Sequence, residues 1–146
     1  MNNIQETIRD WIEKRVSEDY SGLASIQLAT TGEQSDVTPA FIGIFETGAT
    51  VHESGGVTMY GVTDFEIAVE LHTVPADESN EGTPIATEQE WRRNLYDILA
   101  DRDLVTWGSE RNGWRLFDIR TAAPITESGE GQRITRYELL VVACPI

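Results

Sequence analysis

The stretch FEIAVELHTV, residues 65–74, decides the fold of this chain. Large apolar side chains occupy every second position from Phe65 to Leu71, and the positions between them are mostly polar or small. A period of two is typical of a β-strand with one face against a core. Upstream, Gly61 and Asp64 predict a bulge or bend within the same strand. We therefore expect one long strand from Val57 to Val74.

The segment before it predicts a partner strand. Ala40 to Glu46 follows Pro39 and carries apolar side chains on both faces, so both faces are expected to be covered. Residues 53–56 have the turn composition Glu-Ser-Gly-Gly, which predicts an antiparallel pair with a long tip. A short strand is predicted near Ile26–Ala29, followed by a polar loop over residues 30–36.

The last third of the chain predicts two more strands, Gly113–Arg120 and Gln132–Cys144. The polar stretch Thr126–Gly131 between them predicts a turn, so the two strands are expected to form a hairpin. The final strand is apolar on both faces near its end, which favours a place inside the sheet.

Two amphipathic helices complete the pattern. Apolar residues recur at helical spacing from Ile4 to Val16. A second helix is predicted to begin at Thr87, with Glu90 at capping-box spacing, and to run through about Arg102. Between this helix and the long strand, residues 75–84 are acidic and rich in turn formers, which predicts an exposed loop.

These elements predict one domain, residues 1–146, of the α+β class. We expect a mainly antiparallel sheet of about four to five strands flanked by two amphipathic helices on one side. No apolar run approaches the roughly 20 residues that a membrane-spanning helix needs. The N-terminus lacks a basic start and an apolar stretch, so we expect a soluble protein made without a signal peptide.

The charge is strongly acidic, with 25 Asp and Glu against 11 Lys and Arg and a net charge of −14. This excess argues against a protein whose main function is to bind the phosphate backbone of nucleic acids. Lys14 is the only lysine. Lysine scarcity on an acidic surface is compatible with a salt-loving host or with a GC-rich genome, and the sequence leaves both open.

The sequence offers no pattern for catalysis, for a cofactor or for a metal. His52 and His72 lack metal-ligand spacing, and Cys144, the single cysteine, can form neither an internal disulfide nor a thiolate cluster. Ser54, Ser109 and Ser128 have no histidine in a local activating pattern. The pairs Glu88/Glu90 and Asp101/Asp103 flank the second helix, where a structural role explains them. We expect no enzyme.

The sequence does contain residues that are typical of protein–protein interfaces. Trp107 and Trp114 bracket the loop 108–113, and tryptophan beside arginine is typical of an interface anchor. The alternative is that both indoles pack onto the core. Arginines cluster in the same third of the chain and suit carboxylates on neighbouring subunits; they are Arg111, Arg115, Arg120, Arg133 and Arg136.

The order and length of these elements resemble the tail terminator (tail-completion) proteins of long-tailed phages and tailed archaeal viruses. The resemblance covers most of the chain and depends on layout, with no invariant motif. It implies a ring, usually of six copies, that caps the finished tail tube and presents its other face to the head-tail connector. DNA would pass through the lumen without specific binding, which the acidic surplus favours.

By layout, the resemblance assigns axial contacts to three loops, residues 51–57, 75–84 and 126–132. The candidate interface set therefore joins the aromatic and basic residues to acidic loop residues: Trp107, Arg111, Trp114, Arg115, Arg133, Arg136, Asp77, Glu78, Glu81, Glu127 and Glu130. Three alternatives stay open: a head-closure or neck adaptor protein of the same kind of virion, a host cytosolic binding module, and a small α+β enzyme.

Overall fold

A computed structural model describes residues 3–30, 40–76, 82–129 and 131–146. The predicted α+β class is confirmed, but these residues form six strands where four to five were expected, and a short third helix. In chain order the elements are α1 (Ile4–Glu18), a 3₁₀ turn (Ser21–Leu23), β1 (Gln27–Thr30), β2 (Ala40–Ser54), β3 (Val57–Thr73), α2 (Ile85–Ala100), α3 (Asp103–Gly108), β4 (Trp114–Thr121), β5 (Ile125–Gly129) and β6 (Gln132–Pro145).

The six strands form one sheet in the order β1-β2-β3-β6-β4, and β5 also pairs with β6. β1 runs parallel to β2, and every other pairing is antiparallel. The interior position predicted for the final strand is confirmed, because β6 lies between β3 and the edge formed by β4 and β5. β4 pairs with the C-terminal half of β6 and β5 with its N-terminal half.

The alternating apolar side chains of β3 form the centre of the core. Phe65, Ile67, Val69 and Leu71 are all buried and belong to one cluster with the apolar stripes of the helices. Val69 stands opposite Ile44 on β2 and Tyr137 on β6, so the inward faces of three strands meet in one row. Burying these side chains is the main favourable term in folding.

Two boundaries of the second helix were wrong in the prediction. α2 begins at Ile85 with Pro84 at the N-cap, so Thr87 lies inside the first turn. Proline has no backbone N–H to satisfy and holds φ near the helical value, which allows the helix to begin earlier. α2 ends at Ala100, and after the extended Asp101 the chain starts the separate helix α3.

The predicted turn at Thr126–Gly131 was also wrong, because its first four residues belong to β5. Gly129 at the end of β5 pairs with Gln132 at the start of β6, and Gly131 has φ +77°. All five residues of β5 are exposed, so the strand carries no apolar alternation that could mark it. The final strands are therefore three, with β4 and β5 along the same edge of β6.

The loop predicted at residues 75–84 is only partly described, since residues 77–81 lie outside the described ranges. Thr83 is buried, which contradicts the expected exposure at that position. Its N–H donates to the carbonyl of Val74 at 2.7 Å, and its carbonyl accepts from Ala76 at 3.0 Å. Most of the predicted loop at 30–36 also lies outside the described ranges. In the part of the chain that is described, no helix is long and apolar enough to span a membrane.

Candidate interaction surfaces

The β2–β3 hairpin continues well past the rest of the sheet. β1 pairs with β2 only as far as Ile44, and β6 reaches only Thr63 on β3. We call residues 51–62 the arm. Within the described ranges no strand flanks the arm, so it is a two-stranded ribbon closed by a Gly55-Gly56 turn with positive φ at both glycines.

The bulge predicted near Gly61 is confirmed and lies at the base of the arm. Val51 pairs with Thr63 but His52 pairs with Met59, which leaves residues 60–62 outside the ladder, and Gly61 takes φ +91°. A 2.7 Å hydrogen bond between His52 Nδ1 and Asp64 Oδ1 spans this irregularity. The bond joins β2 to β3 at the point where the ladder between them is interrupted.

The arm exposes apolar side chains and carries little charge. Val57 is 62% exposed and Tyr60 is 87% exposed, and Val51 and Met59 are nearly half exposed. Glu53 is its only carboxylate, and its one other charged or titratable side chain besides Tyr60 is His52, which bonds to Asp64. Exposed apolar residues that adjoin one another are typical of contact surfaces.

A second surface lies at the opposite edge of the sheet, where α2 meets β5. A groove of about 370 Å³ is lined by Gln89, Arg92, Arg93, Tyr96, Pro124 and Thr126. Arg92 donates to Thr126 Oγ1 at 3.4 Å. The neighbouring Ile125 on β5 is 64% exposed, and it lies on the other face of the sheet with Glu70 and Arg136. Among the described strands β5 pairs only with β6, so its other edge is open.

Arg92 and Arg93 differ from most basic side chains of this protein. In the described ranges neither makes an ion pair, whereas Arg9, Lys14, Arg15, Arg102, Arg115, Arg120, Arg133 and Arg136 each pair with a carboxylate. Neither residue is among the predicted interface residues. The Arg-Arg doublet is visible in the sequence, but its position beside an open strand edge depends on β5, whose sequence predicts a turn.

The structure does not bring the predicted basic residues together. Arg133 and Arg136 lie near the N-terminal end of β6, and Arg115 lies near the start of β4. Most are occupied within the chain. Arg115 pairs with Glu110 at 3.4 Å, and Arg136 pairs with Glu70 and Glu138 at 3.6 and 3.3 Å.

The predicted acidic residues can be placed only in part. Glu127 is exposed on β5 and lies near Glu70 and Arg136, on the face of the sheet away from the helices. Asp77, Glu78, Glu81 and Glu130 lie outside the described residues.

The two predicted tryptophan anchors occupy different environments. Trp114 is 9% exposed and makes an edge-on contact with Phe65, which favours the core-packing interpretation for this residue. Trp107 is half-buried, with its ring centroid 5.3 Å from that of Trp11. The Arg111 guanidinium lies 4.2 Å from the Trp107 centroid, a cation–π distance. Most of the Trp114 ring is therefore unavailable to a neighbour.

The face of the sheet away from the helices is rich in charge. Glu66, Glu70 and Glu138 lie at alternate positions to the core residues of β3 and β6. His72 Nε2 lies 3.0 Å from Glu70 Oε1, and its ring stacks on Phe41. No group of three or more His, Cys, Asp or Glu that could hold a metal ion occurs in the described ranges.

Asp118 on β4 pairs with two arginines, Arg102 and Arg120. Burial raises the pKa of the Asp118 carboxyl. Hydrogen bonds and charge from Arg120 and Arg102 lower this pKa by more than burial raises it, so it lies below the ordinary value. Arg102 and Arg120 contact separate carboxylate oxygens at 3.1 and 3.2 Å.

No protein-family model and no curated protein matches the sequence. Two of the solved structures that share its fold are similar along almost the whole chain. One is a chain from the virion of a native gene transfer agent particle, with 12% sequence identity and a TM-score of 0.68, covering 97% of this chain and 94% of that one. The other has no functional description, with 17% identity and a TM-score of 0.53, covering 99% and 98%. At these identities the likeness shows a shared fold.

Proposed function

We propose that this protein is a structural component of a virus-like particle, and that it is a tail terminator. It forms a ring of six copies that caps the tail tube, stops tube growth and joins the tail to the head-tail connector. One observation carries the proposal: the whole chain shares its fold with a protein of a gene transfer agent virion. The order of elements, which resembles tail terminators, supports the same conclusion.

The surfaces support a binding role. A ring needs two different contact surfaces on each copy, and this chain offers the arm on one side of the sheet and the α2–β5 groove on the other. Its localisation would be the virion tail or neck, after assembly in the host cytoplasm. Its partners would be copies of itself, the tube protein and a connector or neck protein.

The charge supports passage of DNA through the ring. With a net charge of −14 and glutamates along the outer face of the sheet, the surface repels a phosphate backbone. DNA would therefore slide through the lumen without specific binding, and no cofactor is required.

The decisive experiment combines the purified protein with polymerising tail-tube protein of the same virus. We expect tube elongation to stop, and electron micrographs to show one ring at the tube end with a mass of about six times 16.3 kDa. Bovine serum albumin at equal concentration is the control. Tubes that grow to the same length with and without the protein would contradict the proposal.

The same micrographs test the alternative role. A head-closure or neck adaptor protein would bind the portal of DNA-filled heads and leave free tube ends unoccupied. A chain found in no part of the mature particle would exclude both virion roles and favour a host binding module.

A further inference from the structure

We propose that the distal edge of β2 and the arm of one copy dock on the α2–β5 groove of the next copy, with Glu53 paired to Arg93. This inference rests on the proposed ring and identifies the two surfaces that close it. The occupant of the groove is a second copy of this chain. Four observations support it.

The first observation is a pair of open strand edges. Along β2, the edge from Phe45 to Ser54 has no strand beside it in the described ranges, because β1 ends its pairing at Ile44. Along β5, the edge away from β6 is likewise open. Open edges are templates for pairing with another chain, and proteins usually protect those that must stay unpaired.

The second observation is the position of the two edges. The strand order places β2 on one side of the sheet and β5 on the other. A contact between them joins the β2 side of one copy to the β5 side of the next. Such a heterologous contact uses two different patches and generates a closed ring when the rotation between copies closes.

The third observation is charge. A chain with a net charge of −14 repels its own copies, so a contact between copies needs surfaces on which this repulsion is small or reversed. The distal edge of β2 and the arm carry two carboxylates, Glu46 and Glu53, neither of which has a cation partner in the described residues, and His52, whose ring bonds to Asp64; Glu53 accepts a 3.5 Å bond from Thr58. The groove carries Arg92 and Arg93, which have no carboxylate partner there. These charges are complementary.

The fourth observation is apolar area. Val51 is exposed on the open β2 edge of the arm and Tyr60 on the neighbouring strand β3, and the side chains of Tyr96 and Pro124 line the groove beside β5. A two-stranded ribbon alone is marginally stable in water. Docking would remove these apolar side chains from water and give the ribbon a third strand.

The test is a charge exchange between two variants. In Arg93→Glu, two acidic side chains would meet at every contact, and in Glu53→Arg two basic side chains would meet. Each variant alone is expected to self-associate at least about tenfold more weakly than wild type. In a one-to-one mixture, rings in which the two variants alternate again join opposite charges at every contact, so assembly should return to the wild-type mass, measured by light scattering at low ionic strength.

Lys14→Glu is the matched control, because it changes the net charge as Arg93→Glu does but lies on α1, where Lys14 pairs with Glu18. It should assemble like wild type. All three positions are exposed or half-buried, and circular dichroism checks that each variant is folded.

Several outcomes would overturn the inference: single variants that assemble like wild type, a mixture that stays dissociated, or a control that fails equally. Wild-type protein that remains a single copy would also overturn it. Capping of tube ends is measured in a separate experiment. If the protein still stops tube growth but one of the outcomes above is observed, the docking contact is refuted and the proposed function stands. Cross-linking of the arm to the tube protein, with no contact between copies, would have the same meaning.

Discussion

Glu88 at the start of α2 and Arg133 at the start of β6 are 45 positions apart in sequence and form a 2.6 Å ion pair beneath the helix. The Glu88 carboxylate is 1% exposed, and its second oxygen accepts a hydrogen bond from Thr73 on β3. This cluster ties α2 to two central strands of the sheet. It also positions the helix that carries the proposed groove.

Removing the Arg133 guanidinium should destabilise the folded state. Arg133→Met leaves the Glu88 charge buried without its ion partner, and we expect a loss of about 3 kcal/mol in the free energy of unfolding, measured in urea. Adding Glu88→Gln to the same chain should recover part of that loss, because the buried charge is then gone. Equal stability of the single and double variants would show that the carboxylate does not need this partner.

Tyr137 should make the protein sensitive to alkali. Its hydroxyl is buried and donates to the carbonyl of Arg92 at 2.6 Å, and burial raises its pKa. The folded state therefore favours the neutral phenol. The resulting stabilisation is complete below the unfolded pKa of about 10 and is lost as the pH rises above it. Tyr137→Phe should lose about 1 kcal/mol near neutral pH and fall less steeply between pH 9 and about 11. Parallel slopes would contradict this account.

Asp118 should make the stability of the folded state depend on pH in the acid range. Arg102 and Arg120 hold the pKa of its carboxyl below the ordinary value, so its contribution is present above pH 4 or so and is lost as the pH falls further. Asp118→Asn should be less stable than wild type at pH 7, by less than about 1 kcal/mol because both arginines are exposed. Thermal melts at pH 7 and about pH 3 should show the difference shrinking in acid.

Gly82 should not tolerate a side chain. A Cβ at this position would lie 2.1 Å from the carbonyl oxygen of Val74 and 2.5 Å from that of Pro75, and both are backbone atoms. Gly82→Ala should therefore cost about 1–3 kcal/mol. Gly22→Ala is the control, because nothing lies within 4 Å of its Cβ position. Similar melting temperatures for the two variants would contradict the predicted clash.

Trp107 is expected to matter for the fold as well as for any contact. Its half-buried ring packs on Trp11, so Trp107→Ala should lower the free energy of unfolding by about 1–2 kcal/mol. Urea unfolding and light scattering on the same samples separate the two effects. Weakened assembly with unchanged stability would assign the indole to an interface alone.

The sequence by itself determined the elements whose side chains repeat with a period. The alternation of β3 and the apolar stripes of α1 and α2 appear in the structure because burying one face of an element dominates its local conformation. The bulge at Gly61 was also predictable, because glycine takes a positive φ that other residues avoid.

Tertiary structure decided the features that depend on neighbours. β5 is exposed on all its residues and exists only because β6 offers a strand edge, so its sequence resembles a turn. Trp114 and Trp107 look alike in the sequence, but only the first is buried in the core. The position of Arg92 and Arg93 beside an open strand edge was likewise decided by tertiary structure, because it depends on the pairing of β5 with β6.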